Sequence, residues 1–434
     1  MNKLANKLLI TSVIVLIIFL FTNFSAKSAP VRIEFWHAMG GYRGKVIDSL
    51  IKKFNDSHPN IYVEGKFKGI TDVVKDKYNN DYNVLFQELL ISIVTNSSPV
   101  VAQVYENWTT QFLMVDAIVP MENFIKSSSG GLSDKELNDF VPIFLQSNIY
   151  DGKIWTLPFN KSIYVLYYNK DYFTQAGVEP PRTWEELKEI ATKLTIKNNE
   201  GKVERYALIF LPNVDCFSHI FLANGGEFIS DKGEAVFNSV EGVKTLEYLQ
   251  ALVNSGVAIP SFEHQKDFLQ GKSAIFIETT SKIGSFRKEA KFPFGVAPLP
   301  SVEGHPHRVL FAGTNLAIFK QKHTQEEQLA AWEFVKWLTS PEITTEWAIQ
   351  TGYIPVRSSA IKSAEYQKYL KEDPLNYVGV EELPYAIPAP RVSSWQSIRG
   401  IIDDIVFSTV SLNETIQEAL NEGVALANKF LSPY

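Results

Sequence analysis

The chain has 434 residues, 45% of them hydrophobic, with 48 acidic residues, 42 Lys and Arg, and a single cysteine. That is enough apolar material for two or three domains, and no intramolecular disulfide is possible. A net charge of −6 argues against nucleic acid or an anionic membrane surface as a partner.

Residues 1–28 form the first element. Lys3 and Lys7 give a basic start, a predominantly apolar run extends from Leu8 to Phe21, and Ala26 and Ser28 fit a small-residue cleavage pattern. This is the signature of a secretory signal peptide cleaved after Ser28, because the apolar run is short for a membrane span. An uncleaved anchor is the rival reading. Cleavage removes three lysines and no acid, which takes the charge from −6 to −9. Cys216 lies far from the cleavage site, so no lipid anchor is expected there, and a free periplasmic protein fits best.

The rest alternates short apolar strands with amphipathic helices. Residues 31–37 read as a strand. Residues 44–59 read as a helix, with Val46, Ile47, Leu50, Ile51 and Phe54 at helical spacing. A strand at 61–67, a helix from Tyr82 to Thr95 and a strand at 99–104 complete a βαβαβ start. That order predicts a parallel sheet with helices on both faces and a ligand site beyond the strand ends, where Glu106 lies. Residues 152–159 and 165–169 read as two strands with Ser162 in a polar break between them. A helix over 183–194 opens on Thr183 and Glu186 as a capping box. Strands follow at 206–211, 273–278, 294–300 and 315–320, and four helices occupy 326–338, 341–350, 394–408 and 413–430. The fold class is therefore α/β, with two lobes, a cleft and a helical C-terminal region. The expected lobes are 30–157 with 302–345, and 158–301 with 346–434.

Enzyme signatures are missing: there is no phosphate loop, nucleophile elbow, zinc-protease helix or cysteine-rich metal pattern. His305 and His307 read as a solvated loop. Glu106 with Asp403 or Asp404 would be the acid pair of a hydrolase, against the plainer reading of capping and solvated carboxylates. Neither a metal nor a cofactor is expected. Several polar residues do sit among apolar ones. Arg399, near the start of the 395–410 helix, is either a structural ion pair or a fork for a phosphate or carboxylate. Ser162 closes a turn or donates to a ligand. Thr279 caps a helix or does the same. Gly313 marks a bulge or lets a ligand approach the backbone. Tyr353 sits on the turn that ends a helix.

In order along the chain, "IEFWHAMGG" (33–41), "AQVYE" (102–106), "PFNKSIYVLYYNKDYF" (158–173), "AKFPFGVAPLP" (290–300), "TGYIPV" (351–356) and "SIRGIID" (397–403) resemble the extracellular solute-binding family that includes the maltose receptors, and within it the glycerol-3-phosphate-binding branch. The resemblance covers essentially the whole mature chain. It implies a two-lobed, hinged receptor, monomeric when free, that delivers a small molecule to the permease and ATPase subunits of an ABC importer and has no enzymatic activity. It places ligand contacts on Tyr82, Glu106, Ser162, Thr279, Gly313, Tyr353 and Arg399, with Tyr78 as a competitor for Tyr82. Thr279 departs from the family's serine. A family tryptophan is missing from 206–224, where only Phe210, Phe217 and Phe221 are aromatic. The ligand implied is glycerol 3-phosphate or a glycerophosphodiester, held at the phosphate by Arg399 and at the hydroxyls by Glu106. A sugar receptor and an exported glycerophosphodiester hydrolase are the alternatives.

Overall fold

The computed structural model describes residues 29–70, 81–128, 130–411 and 414–432; the expected signal peptide and Tyr78 lie outside them. The chain opens with β1 (Val31–His37), α1 (Gly41–Ser57), β2 (Ile61–Phe67), α2 (Asp81–Val94), β3 (Val101–Val104) and α3 (Glu106–Met114). β1 pairs in parallel with both β2 and β3, as the βαβαβ pattern predicts. Alternation along the strands sends successive residues to opposite faces. Phe35 and Val101 face the layer that includes Ile47, Leu50 and Phe54 of α1, while Trp36 and Ala102 face Leu85, Phe86 and Leu89 of α2. All five apolar positions expected on α1 are buried. Each contributes about 1.5–3 kcal/mol of transfer free energy as an upper figure.

Two long strands connect this lobe to the second. β4 runs unbroken from Leu157 to Asn169; then come α4 (Trp184–Leu194), β5 (Val203–Phe210), α5 (Val214–Ala223), β6 (Ala258–Pro260), β7 (Ser273–Thr279), β8 (Phe294–Ala297) and β9 (Val309–Phe319). The strand order is β6-β5-β7-β4-β9-β3-β1-β2. The first half of β4 pairs with β9 and its second half with β7 and β8, all antiparallel. β9 in turn pairs with β3. So β4 passes from one sheet to the other, with β9 paired along its first half. At α4 the capping is shared differently from the expected box: Thr183 caps Glu186 N–H, while the Glu186 carboxylate accepts from Arg182 N–H at 2.6 Å.

Helices α6 (Gln325–Leu338), α7 (Pro341–Thr351), α8 (Trp395–Ser411) and α9 (Ile416–Leu431) finish the fold. The expected boundary between 345 and 346 falls inside α7, which is continuous. Glu342 and Glu346 of that helix both meet Lys53 of α1, at 2.9 and 3.0 Å. Helices α8 and α9 pack on each other and on the second lobe. No helix among the described residues is long and apolar enough to cross a membrane.

Candidate ligand-binding site

A cavity of about 420 Å³ lies where the two lobes face each other, a size that suits a small ligand. Its walls come from the start of α2, the β3–α3 junction, the first half of β9, the start of α5 and the inner face of α8. Four of the seven residues expected at the site line it: Tyr82, Glu106, Gly313 and Arg399. The other three do not. Ser162, Thr279 and Tyr353 are buried just behind the wall. Ser162 is the strand partner of the lining residue Ala312, and Thr279 that of the lining residue Tyr164. The Thr279 hydroxyl is 2.8 Å from that of Ser281, and Tyr353 accepts a hydrogen bond from Arg43 Nη1 at 3.1 Å.

The expected polar break at Ser162 is absent, because its neighbours are satisfied inside the sheet. Asn160 Oδ1 accepts from Gln103 at 3.2 Å and from the Thr314 hydroxyl at 2.5 Å, and Asn160 Nδ2 donates to Tyr82 at 3.3 Å. Lys161, fully buried, donates to Glu106 Oε1 at 2.7 Å and to the Gly313 carbonyl at 3.2 Å. Three consecutive polar residues in an otherwise apolar strand were the available signal for this buried network. Burial pushes the Lys161 ammonium down, and the Glu106 carboxylate opposes that shift.

Gly313 marks the expected bulge. Its φ of +104° favours glycine, and the β4–β9 register shifts just beyond it, between Thr314 and Asn315. A Cβ at this position would overlap the Asn160 carbonyl oxygen. The strands can therefore approach here only without a side chain, and the same residue forms part of the cavity wall.

At the other end, Arg399 Nη2 donates to Asp215 Oδ1 at 3.0 Å, so the expected structural pair exists. Asp215 lies in the first turn of α5, and Asp403 Oδ1 accepts from Val214 N–H of that turn at 2.6 Å. Burial, only partly offset by Arg399, pushes the Asp403 carboxyl up to about 6 from 3.8. Burial also pushes the nearby His219 imidazole down to about 4 from 6.5, against the pull of Asp215. These shifts act on stability in opposite senses. A raised carboxyl costs stability as pH climbs from about 4 to about 6, and a depressed imidazole costs stability as pH falls through the same range. Asp403→Asn should remove the first slope. Its gain in stability from about pH 4 to pH 6.5 should then exceed the wild type's by about 2 kcal/mol. Urea denaturation at both values checks this, and equal slopes would refute it.

Aromatic walls complete the cavity. Tyr105 packs edge-on between Tyr82 and Trp108, with centroids 5.2 and 5.0 Å away. Phe262, Phe407 and Trp395 line the second lobe's side. None of Phe210, Phe217 and Phe221 reaches this cavity; the 206–224 segment contributes Leu211, Pro212, Asn213 and Asp215 instead.

Two sheets joined by crossing strands, with a cavity at the strand ends between them, form the architecture of a solute receptor. Residues 49–372 match the family described as bacterial extracellular solute-binding protein, and the chain belongs to that family. Its relatives include the sn-glycerol-3-phosphate-binding periplasmic protein UgpB of Salmonella paratyphi A, 27% identical over 424 residues and 93% of each chain. UgpB of Escherichia coli K12 is 28% identical with the same coverage. Among solved structures, UgpB from Mycobacterium tuberculosis in complex with glycerophosphocholine matches with a TM-score of 0.81 at 22% identity, covering 93% of this chain and 98% of that one. The GacH receptor of Streptomyces glaucescens matches at 0.78 and 20% identity, covering 93% and 99%. These structures establish the two-lobed fold.

Proposed function

We propose that the chain is an exported, monomeric receptor, without enzymatic activity, that captures a glycerophosphodiester in preference to glycerol 3-phosphate and passes it to the permease and ATPase of an ABC importer. The observation that carries this reading is the charge of the cavity wall. Glu106 is paired with Lys161, whereas one guanidinium, Arg399, bonded to Asp215, faces the two carboxylates of Asp215 and Asp403. A phosphate dianion would meet uncompensated negative charge beside Arg399, whereas a diester carries one charge, and a cationic substituent on it would find Asp215 and Asp403.

Arg399 supplies further N–H groups to the phosphate beyond the one given to Asp215, and Glu106 accepts from the glycerol hydroxyls. Tyr82 and the Gly313 backbone border the same space. Ser162, Thr279 and Tyr353 join the contacts once the lobes close, a motion taken up in β4 and β9. The lobes are then residues 30 to about 162 with 302 to about 361, and the remainder, with α7 whole in the first.

A thermal-shift and calorimetric panel of glycerophosphocholine, glycerol 3-phosphate, inorganic phosphate and maltose tests this. At a hundred times its dissociation constant the preferred ligand stabilises the fold by about 2.7 kcal/mol. A shift with maltose alone favours the second reading, a sugar receptor, which the existing Arg399–Asp215 pair and the tyrosine–tryptophan wall also suit. Turnover of the diester would point to the hydrolase instead.

A further inference from the structure

We propose that Lys161 is the specificity-determining positioning residue of this cavity: it cancels the charge of Glu106 and fixes which carboxylate oxygen meets the ligand, so that a hydroxyl-reading acid and a phosphate anion can share one small site. This rests on the function proposed above.

The three groups that the Lys161 ammonium approaches all belong to residues of the cavity wall. It lies 2.7 Å from Glu106 Oε1, 3.2 Å from the Gly313 carbonyl and 5.1 Å from the Phe311 ring centroid. The lysine side chain itself has no exposure, so it meets no ligand and gains nothing from water. Its own carbonyl accepts from Ile354 N–H at 2.7 Å, which ties the turn carrying Tyr353 to the same strand position.

Stability alone does not account for a lysine here. A buried ion pair is often matched by an apolar residue of the same volume, and the surroundings are a sheet interior. What requires the cation is Glu106, a carboxylate at a wall that is only 9% exposed. Among the described residues, the side-chain contacts of the Glu106 carboxylate fall on Oε1, from Lys161 and from the Ser147 hydroxyl 3.4 Å away. Oε2 is the oxygen left to accept from a ligand hydroxyl. Without Lys161 the same acid would repel any anion admitted to the cavity. The other ionisable groups facing Glu106 are Tyr105 and Tyr150, whose phenols burial holds protonated, and Arg391 beside the Tyr150 ring. Neither phenol changes charge near neutrality.

The test compares wild type, Lys161→Met, Glu106→Gln and the double variant, by calorimetric titration with glycerophosphocholine, whose charge is constant from about pH 5 to about pH 8. Ratios to wild type at equal pH remove the contributions of Asp403 and His219. K161M should bind about a hundredfold more weakly than wild type at the upper pH. It should recover to within about tenfold at the lower, as protons discharge Glu106. E106Q should lose affinity about equally at both values. The double variant should stay within about tenfold at both, because the charge and its partner leave together. K161M matching wild type at the upper pH, or a double variant as pH-dependent as K161M, overturns the proposal. If K161M does not fold at the upper pH, the double variant and the lower pH decide.

If wild type binds neither glycerophosphocholine nor glycerol 3-phosphate, the proposed function falls and Lys161 is judged without ligand. Urea denaturation should then show K161M losing stability relative to wild type as pH rises, with the double variant showing no such loss. Parallel profiles would overturn the charge-cancelling role.

Discussion

Arg399→Lys should abolish most of the ligand-induced stabilisation while leaving the free protein's melting temperature nearly unchanged. The second half follows from position. Arg399 faces Asp215 and Asp403, and an ammonium at the same place still answers those charges. The first half follows from geometry. A guanidinium can hold Asp215 with one edge and two phosphate oxygens with another, whereas a lysine has one flexible point of charge. Losing the fork should weaken binding about a hundredfold. Ligand that stabilised the wild type by about 2.7 kcal/mol would then stabilise the variant by only about 0.4 kcal/mol. A thermal-shift titration of both proteins reads this directly. A full shift in the variant would mean that Arg399 serves only its acidic neighbours, and the phosphate assignment would go with it.

Gly313→Ala is the second large effect, and it falls on the fold itself. The residue has φ of +104°, and a methyl group would overlap the Asn160 carbonyl oxygen. Backbone on both strands would have to move at the point where Lys161 and Gly313 are register partners. The cost should be about 3 kcal/mol, combining strain at a left-handed position with a spread sheet. Ligand affinity should fall too, because Lys161 and Glu106 lose their support. Urea denaturation measures the first effect. A loss below about 1 kcal/mol would show that β4 and β9 can part here cheaply.

How far the sequence can be read depends on the range of the interactions. α1 is legible because its five buried positions lie at helical spacing within seventeen residues, and β1, β2 and β3 are legible because short apolar runs alternate with such helices. Glu106 is legible as a strand-end residue for the same local reason. Lys161 is not, because the partner that makes a buried lysine tolerable lies 55 positions away. Asp215, 184 positions from Arg399, is hidden in the same way. Arg43 sits on a helix that otherwise reads as plain scaffold, yet its guanidinium meets Tyr353 across 310 positions. Ser162 shows the converse. A polar triplet looks like a turn until Gln103, Thr314 and Glu106 are known to satisfy its neighbours.

β4 belongs to both sheets along a single run of backbone, with no loop at the point of passage, and β9 is paired along its first half. The lobes are therefore coupled by a stiff ribbon rather than slung on tethers. Any approach of one to the other must be stored as torsion in paired strands, and that torsion has a restoring force. A molecule sprung in this way has a preferred resting angle, and its shape in solution is set as much by the elasticity of two strands as by what occupies the cleft.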